Sequence, residues 1–225
     1  MLKKLIGKVH RGQRGITGLE TAIILIAFVV VASVFAYTVL SAGIFSSQKG
    51  QEAIYSGLEQ TRSTLEPKGS VVGYKGTVGD TAALVKVEFT VTNALEGEPV
   101  DLTPPYTFDG TNLSESGLDN VTQIAYSDKN LFISDCAWTL DWVGKHTDDY
   151  LLEDNEKAVI TVWLVNYSGG SYSLGSGASD PFIDAAANLV GTNHTFTLEV
   201  KPPNGATLNI ERTTPAHLDT VMDLQ

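Results

Sequence analysis

Hydrophobic and polar positions divide the start of the chain into a basic leader and a long apolar run. From Thr21 to Gln48 there is no charged residue, and the run from Ala22 to Leu40 is apolar on every face of a helix. About 20 apolar residues are enough to cross a bilayer as a helix, so this run predicts a membrane-spanning helix. The leader, residues 1–15, has no acid and five cations, so it should stay on the cytoplasmic side. The cations are Lys3, Lys4, Lys8, Arg11 and Arg14.

The helical pattern continues beyond the apolar run but changes character. After Ser47 the apolar positions alternate with charged and polar ones, which predicts a helix with one apolar face. One helix is therefore expected from about Ile16 to about Thr64, and Pro67 and Gly69 are expected to end it. At 1.5 Å per residue its length is about 75 Å, more than twice the thickness of a bilayer core.

From Val71 onward the pattern predicts β-structure. The segment from Ala83 to Thr92 alternates, and strands are also expected at residues 138–142, 159–165 and 196–200. Asn204-Gly205 predicts a hairpin after the last of these. Shorter strands are expected at 71–78, 99–102, 121–126 and 131–134, with surface loops at 101–120 and 169–180 and a packed tail at 215–224. The predicted fold class is α+β, a long N-terminal helix followed by an immunoglobulin-like sandwich or small barrel.

The position of the apolar run decides how the chain should be processed. A secretory signal is cut after its apolar region at a small-residue site. Ser41-Ala42-Gly43 is the nearest candidate, but the helical pattern runs through it. The natural break lies before the run, between Gly15 and Ile16, where the leader ends in Arg14-Gly15. The expected segments are a cleaved leader 1–15, a helix 16–65 and an outer domain 66–225.

This arrangement resembles the archaeal flagellins (archaellins), a branch of the type IV pilin superfamily. The resemblance rests on the leader ending Arg14-Gly15, the junction from Ile16 to Ala22, the uninterrupted apolar helix, residues 65–70 and the region 198–224. It implies the major subunit of an archaellum, a swimming filament outside the cell. It also implies a prepilin-peptidase-like membrane protease that cuts after Gly15, a precursor in the cytoplasmic membrane, and an ATPase motor with its platform. The filament is then a homopolymer or also contains sister archaellins.

Two other functions remain open at this stage. One is an adhesive type IV pilin built on the same helix, and the other is a surface protein that stays anchored and is never processed. Glu20, just inside the apolar segment Ile16–Ser47, bears on assembly because a buried carboxylate is costly unless it is paired. Cleavage creates an amine on Ile16, which is the partner we expect. The alternative is that Glu20 sits in the headgroup region during insertion.

The net charge and the cysteine content exclude some classes of protein and one kind of cross-link. The formal net charge is −11, and removal of the five leader cations makes it −16. Such an acidic chain is unsuited to nucleic acid, whose binding depends on cationic side chains. Cys136 is the single cysteine, so no disulfide forms within the chain, and its apolar neighbours predict a buried structural thiol.

The remaining motifs do not indicate catalysis, a metal or a cofactor. The histidines have no metal-ligand spacing, and residues 169–177 lack the lysine of a P-loop. The acidic residues of 148–156 could gather calcium, but a solvated loop is the expected state. Four N-glycosylation patterns occur, and the resemblance raises the expectation that they are used. They begin at Asn112, Asn120, Asn166 and Asn193, of which the first two are the strongest candidates.

Overall fold

The computed structural model describes residues 2–62, 64–94, 98–177 and 180–224, and the chain divides into two compact units, Met1–Tyr55 and Ser56–Gln225. Among the described residues one α-helix comes first, followed by strands and a single 3-10 turn, Ala186–Asn188. The elements are α1 (Leu2–Arg62), β1 (Leu65–Val78), β2 (Thr81–Asn93), β3 (Val100–Asp101), β4 (Tyr106–Phe108), β5 (Leu113–Glu115), β6 (Gln123–Asp128), β7 (Phe132–Ile133), β8 (Ala137–Trp142), β9 (Leu151–Leu152), β10 (Ala158–Trp163), β11 (Asn166–Ser168), β12 (Ser171–Ser173), β13 (Thr195–Lys201), β14 (Leu208–Thr213) and β15 (Val221–Leu224).

Helix α1 is longer at its start than the sequence predicts. It begins at Leu2 rather than Ile16, because the leader is rich in Leu, Lys and Arg, which favour a helix, and contains no proline. It ends at Arg62, close to the expected end. The prediction that Pro67 and Gly69 terminate it was wrong, since both lie inside strand β1.

The larger β-sheet has the strand order β11-β12-β1-β2-β10-β8, and β15 also pairs with β1. Strand β2 lies between β1 and β10 and is antiparallel to both. Its side chains alternate as predicted, with Val85, Val87, Phe89 and Val91 buried and Lys86, Glu88 and Thr90 only partly buried. Strand β10 likewise lies inside this sheet, between β2 and β8.

The second sheet has the order β14-β13-β6-β7, and β13 and β14 form the hairpin expected from Asn204-Gly205. Side chains of both sheets form one hydrophobic core, with Phe89, Ile160 and Trp138 from the first and Tyr126 and Leu198 from the second. The predicted fold class, a long helix followed by a β domain with sandwich character, is confirmed. Two small ribbons, β3–β9 and β4–β5, are added to it.

Two regions predicted as loops contain strands. The hairpin β4–β5 lies within 101–120, and β12 lies within 169–180. The reason is a second apolar cluster formed by Leu113, Ala137, Trp163 and Phe182, with Tyr106, Tyr167 and Tyr172 packed against it. Trp163 and Val162 are neighbours in β10 and must point to opposite faces, so this cluster lies on the face of the sheet away from the main core.

The C-terminal tail and the single thiol are placed as predicted. Strand β15 pairs with β1, and Leu218, Met222 and Leu224 are buried. Cys136 is also buried, and that burial raises the pKa of its thiol to about 12. Its backbone N–H donates to the carbonyl oxygen of Ile124 at 2.7 Å, which ties the start of β8 to β6.

One buried carboxylate organises the end of strand β6. The side chain of Asp128 has no exposed surface and accepts hydrogen bonds from Tyr126 Oη at 2.7 Å and from His194 Nε2 at 2.9 Å. Its other oxygen accepts the backbone N–H groups of Asn130 and Leu131. Burial opposes ionisation, but these hydrogen bonds outweigh it and lower the pKa of Asp128.

We expect Asp128→Asn to destabilise the outer domain at neutral pH by about 1–3 kcal/mol, because an amide cannot accept all four donors. A lowered pKa stabilises the fold above the unfolded value, about 3.9, and that stabilisation is lost as pH falls through the folded pKa. The difference between variant and wild type should therefore shrink in acid. Denaturant unfolding of the full chain in detergent at several pH values measures this, with exposed Asp80→Asn as control. A difference that stays constant across the acid range would contradict the assignment.

Candidate functional site

The apolar surface of α1 is the largest feature of the chain that the fold leaves uncovered. Described side chains in this helix begin at Gly18, and every large apolar one from Leu19 to Leu58 is at least half exposed. Phe28, for example, is 75% exposed and Tyr37 is 73% exposed. Within the described residues, Gly18–Leu58 is the one helix long and apolar enough to cross a membrane. Burying each such side chain is worth about 1.5–3 kcal/mol, so this surface favours lipid or another protein over water.

Three hydroxyl groups in and beside the apolar run donate hydrogen bonds within the helix. Thr21 donates to the carbonyl oxygen of Gly18 at 3.0 Å, Ser33 to that of Val29 at 2.7 Å, and Thr38 to that of Phe35 at 2.8 Å. An unpaired hydroxyl would be costly in hydrocarbon or in a protein core. These bonds make the helix compatible with both environments.

Small residues recur along one side of α1 at seven-residue intervals. Ala22, Ala36, Gly43, Gly50 and Gly57 fall on this spacing, and the larger Val29 interrupts the series between the two alanines. At each of these three glycines, a Cβ would meet nothing within 4 Å. Because each glycine costs a helix up to about 1 kcal/mol relative to alanine, the chain by itself gains nothing from them. Small residues of this kind allow the backbones of two helices to approach closely.

The charged residues of α1 lie towards its two ends. Glu20 is exposed, and of the described side chains none forms an ion pair with it. Lys49 and Glu52 form an exposed ion pair at 2.6 Å in the second half. The backbone of Arg14, Gly15 and Ile16 is helical, but the side chains of Arg14 and Ile16 lie outside the described residues. The predicted pairing of Glu20 with the Ile16 amine therefore stays a prediction.

The four candidate glycosylation sites differ in how free their side chains are. Asn112 is partly buried, and its oxygen accepts from the Ser168 hydroxyl and the backbone N–H of Gly169, both at 3.1 Å. Asn120 donates to the carbonyl oxygen of Thr122 at 3.3 Å. Asn166 is partly buried in β11, whereas Asn193 is exposed in a turn with a positive φ of 48°.

Three of the groups considered for catalysis or metal binding, His194, His146 and Glu156, make structural contacts. His194 bonds to Asp128, and His146 stacks on Trp142 with ring centroids 5.5 Å apart. In the acidic loop, buried Glu156 accepts the backbone N–H groups of Thr147 and Glu153, so it fixes its own loop. No group of three His, Cys, Asp or Glu residues is arranged to hold a metal within the described ranges.

A cavity of about 300 Å³ lies beside strand β7. Its lining combines Asp135, Asp180 and Asp184 with Phe132 and Phe182. One oxygen of Asp135 is buried without a hydrogen-bond partner, and burial raises the pKa of that carboxyl. Asp180 is already held by the backbone N–H groups of Ser176 and Phe182.

Comparison with known proteins identifies the family of this chain with its exposed helix. The family model for archaeal-type flagellin matches residues 15–212, which include α1 from Gly15 onward and most of the β domain. The chain belongs to the archaeal-type flagellin family. The match begins at Gly15, the residue after which cleavage is predicted.

Individual relatives of this flagellin chain agree with the family match. It is 36% identical over 218 residues to probable flagellin 1 of Archaeoglobus fulgidus, covering 95% of this chain and 96% of that one. It is 31% identical to probable flagellin 1 of Aeropyrum pernix, covering 93% and 96%. Among solved structures, the archaeal flagellum of Methanospirillum hungatei strain JF1 is similar with a TM-score of 0.55 and 24% identity, covering 92% of this chain and 98% of that one.

The resemblance to archaeal flagellins expected from the sequence is thus confirmed, and so is the fold that it implies. The helix predicted from the sequence gave Gly43, Gly50 and Gly57 no role in contact with another helix. Their regular spacing was the signal that could have identified a contact side, and the structure adds that the space beside them is open.

Proposed function

We propose that this flagellin is the major structural subunit of an archaellum filament, assembled from many copies of the chain for swimming motility. The observation that carries the proposal is the exposed apolar surface of α1 in a chain of this family. The role is mechanical and not enzymatic. The filament lies outside the cell, with the β domains facing the medium and the helices packed together at its centre.

Assembly requires the helix to leave lipid for contact with its copies. Lipid tails are as apolar as leucine, so hydrophobic burial alone gives no preference for the filament. Close packing at the small-residue side of α1 can supply one part of the preference. A pairing between Glu20 and the new amine on Ile16, in its own or a neighbouring subunit, can supply another, because charge pairs strengthen in an apolar environment.

The cellular partners follow from the proposed route. A prepilin-peptidase-like membrane protease cuts between Gly15 and Ile16 and recognises Arg14 and Gly15 at the end of the leader. Before that step the chain is held in the cytoplasmic membrane by α1. An ATPase motor and its platform then add subunits and turn the filament, which can include sister flagellins.

The decisive experiment is to shear external filaments from cells and sequence the N-terminus of the protein. An N-terminus at Ile16 supports a processed filament subunit. Full-length chain found only in the membrane, with filaments free of it, would replace the proposal with the anchored surface protein. Loss of attachment rather than swimming in a deletion strain would instead identify an adhesive pilin.

We also propose that the outer domain carries N-linked glycans at some of the positions Asn112, Asn120, Asn166 and Asn193. Asn193 has the most accessible side chain of the four, because it is exposed in a turn. We expect the intact mass of filament protein to exceed that of the bare mature chain, and Asn193→Gln to remove part of the excess. A mass equal to that of the bare chain would eliminate glycosylation, and an unchanged mass in the variant would eliminate this site.

A further inference from the structure

The first part of strand β1 has one edge without a neighbouring strand. On one side, Leu65–Val78 pairs with β2 along its length. On the other side, β15 pairs only with Val71–Tyr74 and β12 only at Val78. Within the described residues no strand covers that side of Glu66–Ser70, and all five of these residues are exposed. A free edge of this kind is a template for pairing with another chain.

The hydrogen-bond register shows which backbone groups point to the free edge. The N–H of Ala94 donates to the carbonyl oxygen of Thr64 at 2.8 Å, which identifies a hydrogen-bonded pair at the start of the ladder. In an antiparallel ladder, hydrogen-bonded and non-hydrogen-bonded pairs alternate. Pro67, three residues further on and opposite Val91, is therefore in a non-hydrogen-bonded pair. Its backbone groups point away from β2, towards the open side.

Proline at this position removes a donor where an added strand would need one. Proline has no N–H, so the free edge lacks its central hydrogen-bond donor between Leu65 and Gly69. The same absence costs the β1–β2 ladder nothing, because position 67 does not donate to β2. This is the edge-strand location in which proline is tolerated.

Two further features also oppose the pairing of another strand with this edge. Between Lys68, opposite Thr90, and Val72, opposite Glu88, three residues of β1 face only Phe89, so the strand bulges. Gly69 in this bulge has φ of +85°, a conformation that interrupts a regular edge. Lys68 and Glu66, both exposed and 2.9 Å apart, add charge to the same short stretch. Bulges, lysine and proline are the recurrent means of protecting sheet edges.

We propose that Pro67, together with the Gly69 bulge and Lys68, closes this free edge to strand addition by a second copy of the chain. The need for such protection rests on the proposed function, since a filament holds outer domains close together at high effective concentration. An unprotected edge on every subunit would allow sheet-to-sheet pairing that competes with helix packing.

The test uses the full chain, purified in detergent before assembly, so its result does not depend on whether filaments form. We expect Pro67→Val to increase the sedimentable aggregate several-fold on prolonged incubation, while the remaining soluble protein keeps the wild-type melting temperature. Thr90→Val is the matched control. It places the same side chain in β2, which is paired on both sides, with Lys68 and Val159.

Hydrogen–deuterium exchange separates edge pairing from simple loss of solubility. In the sedimented Pro67→Val protein, the new amide at position 67 should be protected, and Pro67→Ala should show a smaller effect in the same direction. Wild-type solubility of both proline variants would overturn the proposal. So would aggregation of the Thr90→Val control to the same extent, or aggregates in which position 67 exchanges freely.

Discussion

Replacing Gly15 with valine is expected to abolish filaments and leave full-length chain in the membrane. Under the proposed function, cleavage at this bond removes five cations from the start of α1. A charged residue at the centre of an apolar environment costs about 2.5–3.5 kcal/mol on insertion scales, so a leader that stays attached cannot enter a filament core. Electron microscopy of cells and the mass of the membrane-bound chain measure the effect.

The matched control is Gly7→Val, which makes the same change inside the leader, away from the proposed cleavage bond. This control should be processed and should assemble as the wild type does. If Gly15→Val still yields filaments with an N-terminus at Ile16, the cleavage site is wrong. If both variants block processing, the protease recognises the leader as a whole, and Gly15 has no special role in cleavage.

Glu20→Ala is expected to leave membrane insertion intact and strongly reduce polymerisation. Glu20 is exposed in the isolated chain, so its loss removes no contact within the described fold. In a filament its removal would leave the Ile16 amine buried and unpaired, and breaking a buried pair in this way costs about 3–5 kcal/mol. Since 1.4 kcal/mol corresponds to a factor of ten, the assembly constant should fall about 100-fold or more. The yield of sheared filament protein per cell measures this.

Glu20→Gln distinguishes the charge of this side chain from its size. The amide keeps the length of the side chain and can accept a hydrogen bond, but it cannot neutralise the amine. We therefore expect an intermediate yield of filaments. Normal assembly of Glu20→Ala would show that the carboxylate matters only during insertion, at the level of the lipid headgroups.

The sequence predicted most of the fold because two periodicities were clear. The uninterrupted apolar run could be nothing other than a long helix exposed to lipid or protein, and the alternation of Val85, Val87 and Phe89 determined both the strand and its buried face. The hairpin at Asn204-Gly205 was predictable from turn chemistry alone. The family resemblance rested on residues at both ends of the chain, and these are the regions where the pattern was strongest.

The errors have physical reasons. Pro67 and Gly69 are helix breakers, but whether they end a helix or occupy a strand edge depends on where β2 and β15 lie, which only tertiary structure reveals. The hairpin β4–β5 was missed because its strands are three residues long and its stability comes from packing on Trp163 and Ala137 across the sheet. The small-residue side of α1 concerns contact between helices, so its regular spacing becomes meaningful only when a second helix is considered.

The burial of Cys136 has a practical consequence for imaging. A thiol that is almost completely buried and has a pKa of about 12 should not react with maleimide dyes at neutral pH. Cysteine introduced at an exposed position such as Lys145 would then be the sole reactive thiol on each subunit. Dye attached there could make individual filaments visible on live cells under a fluorescence microscope, with the native cysteine left in place.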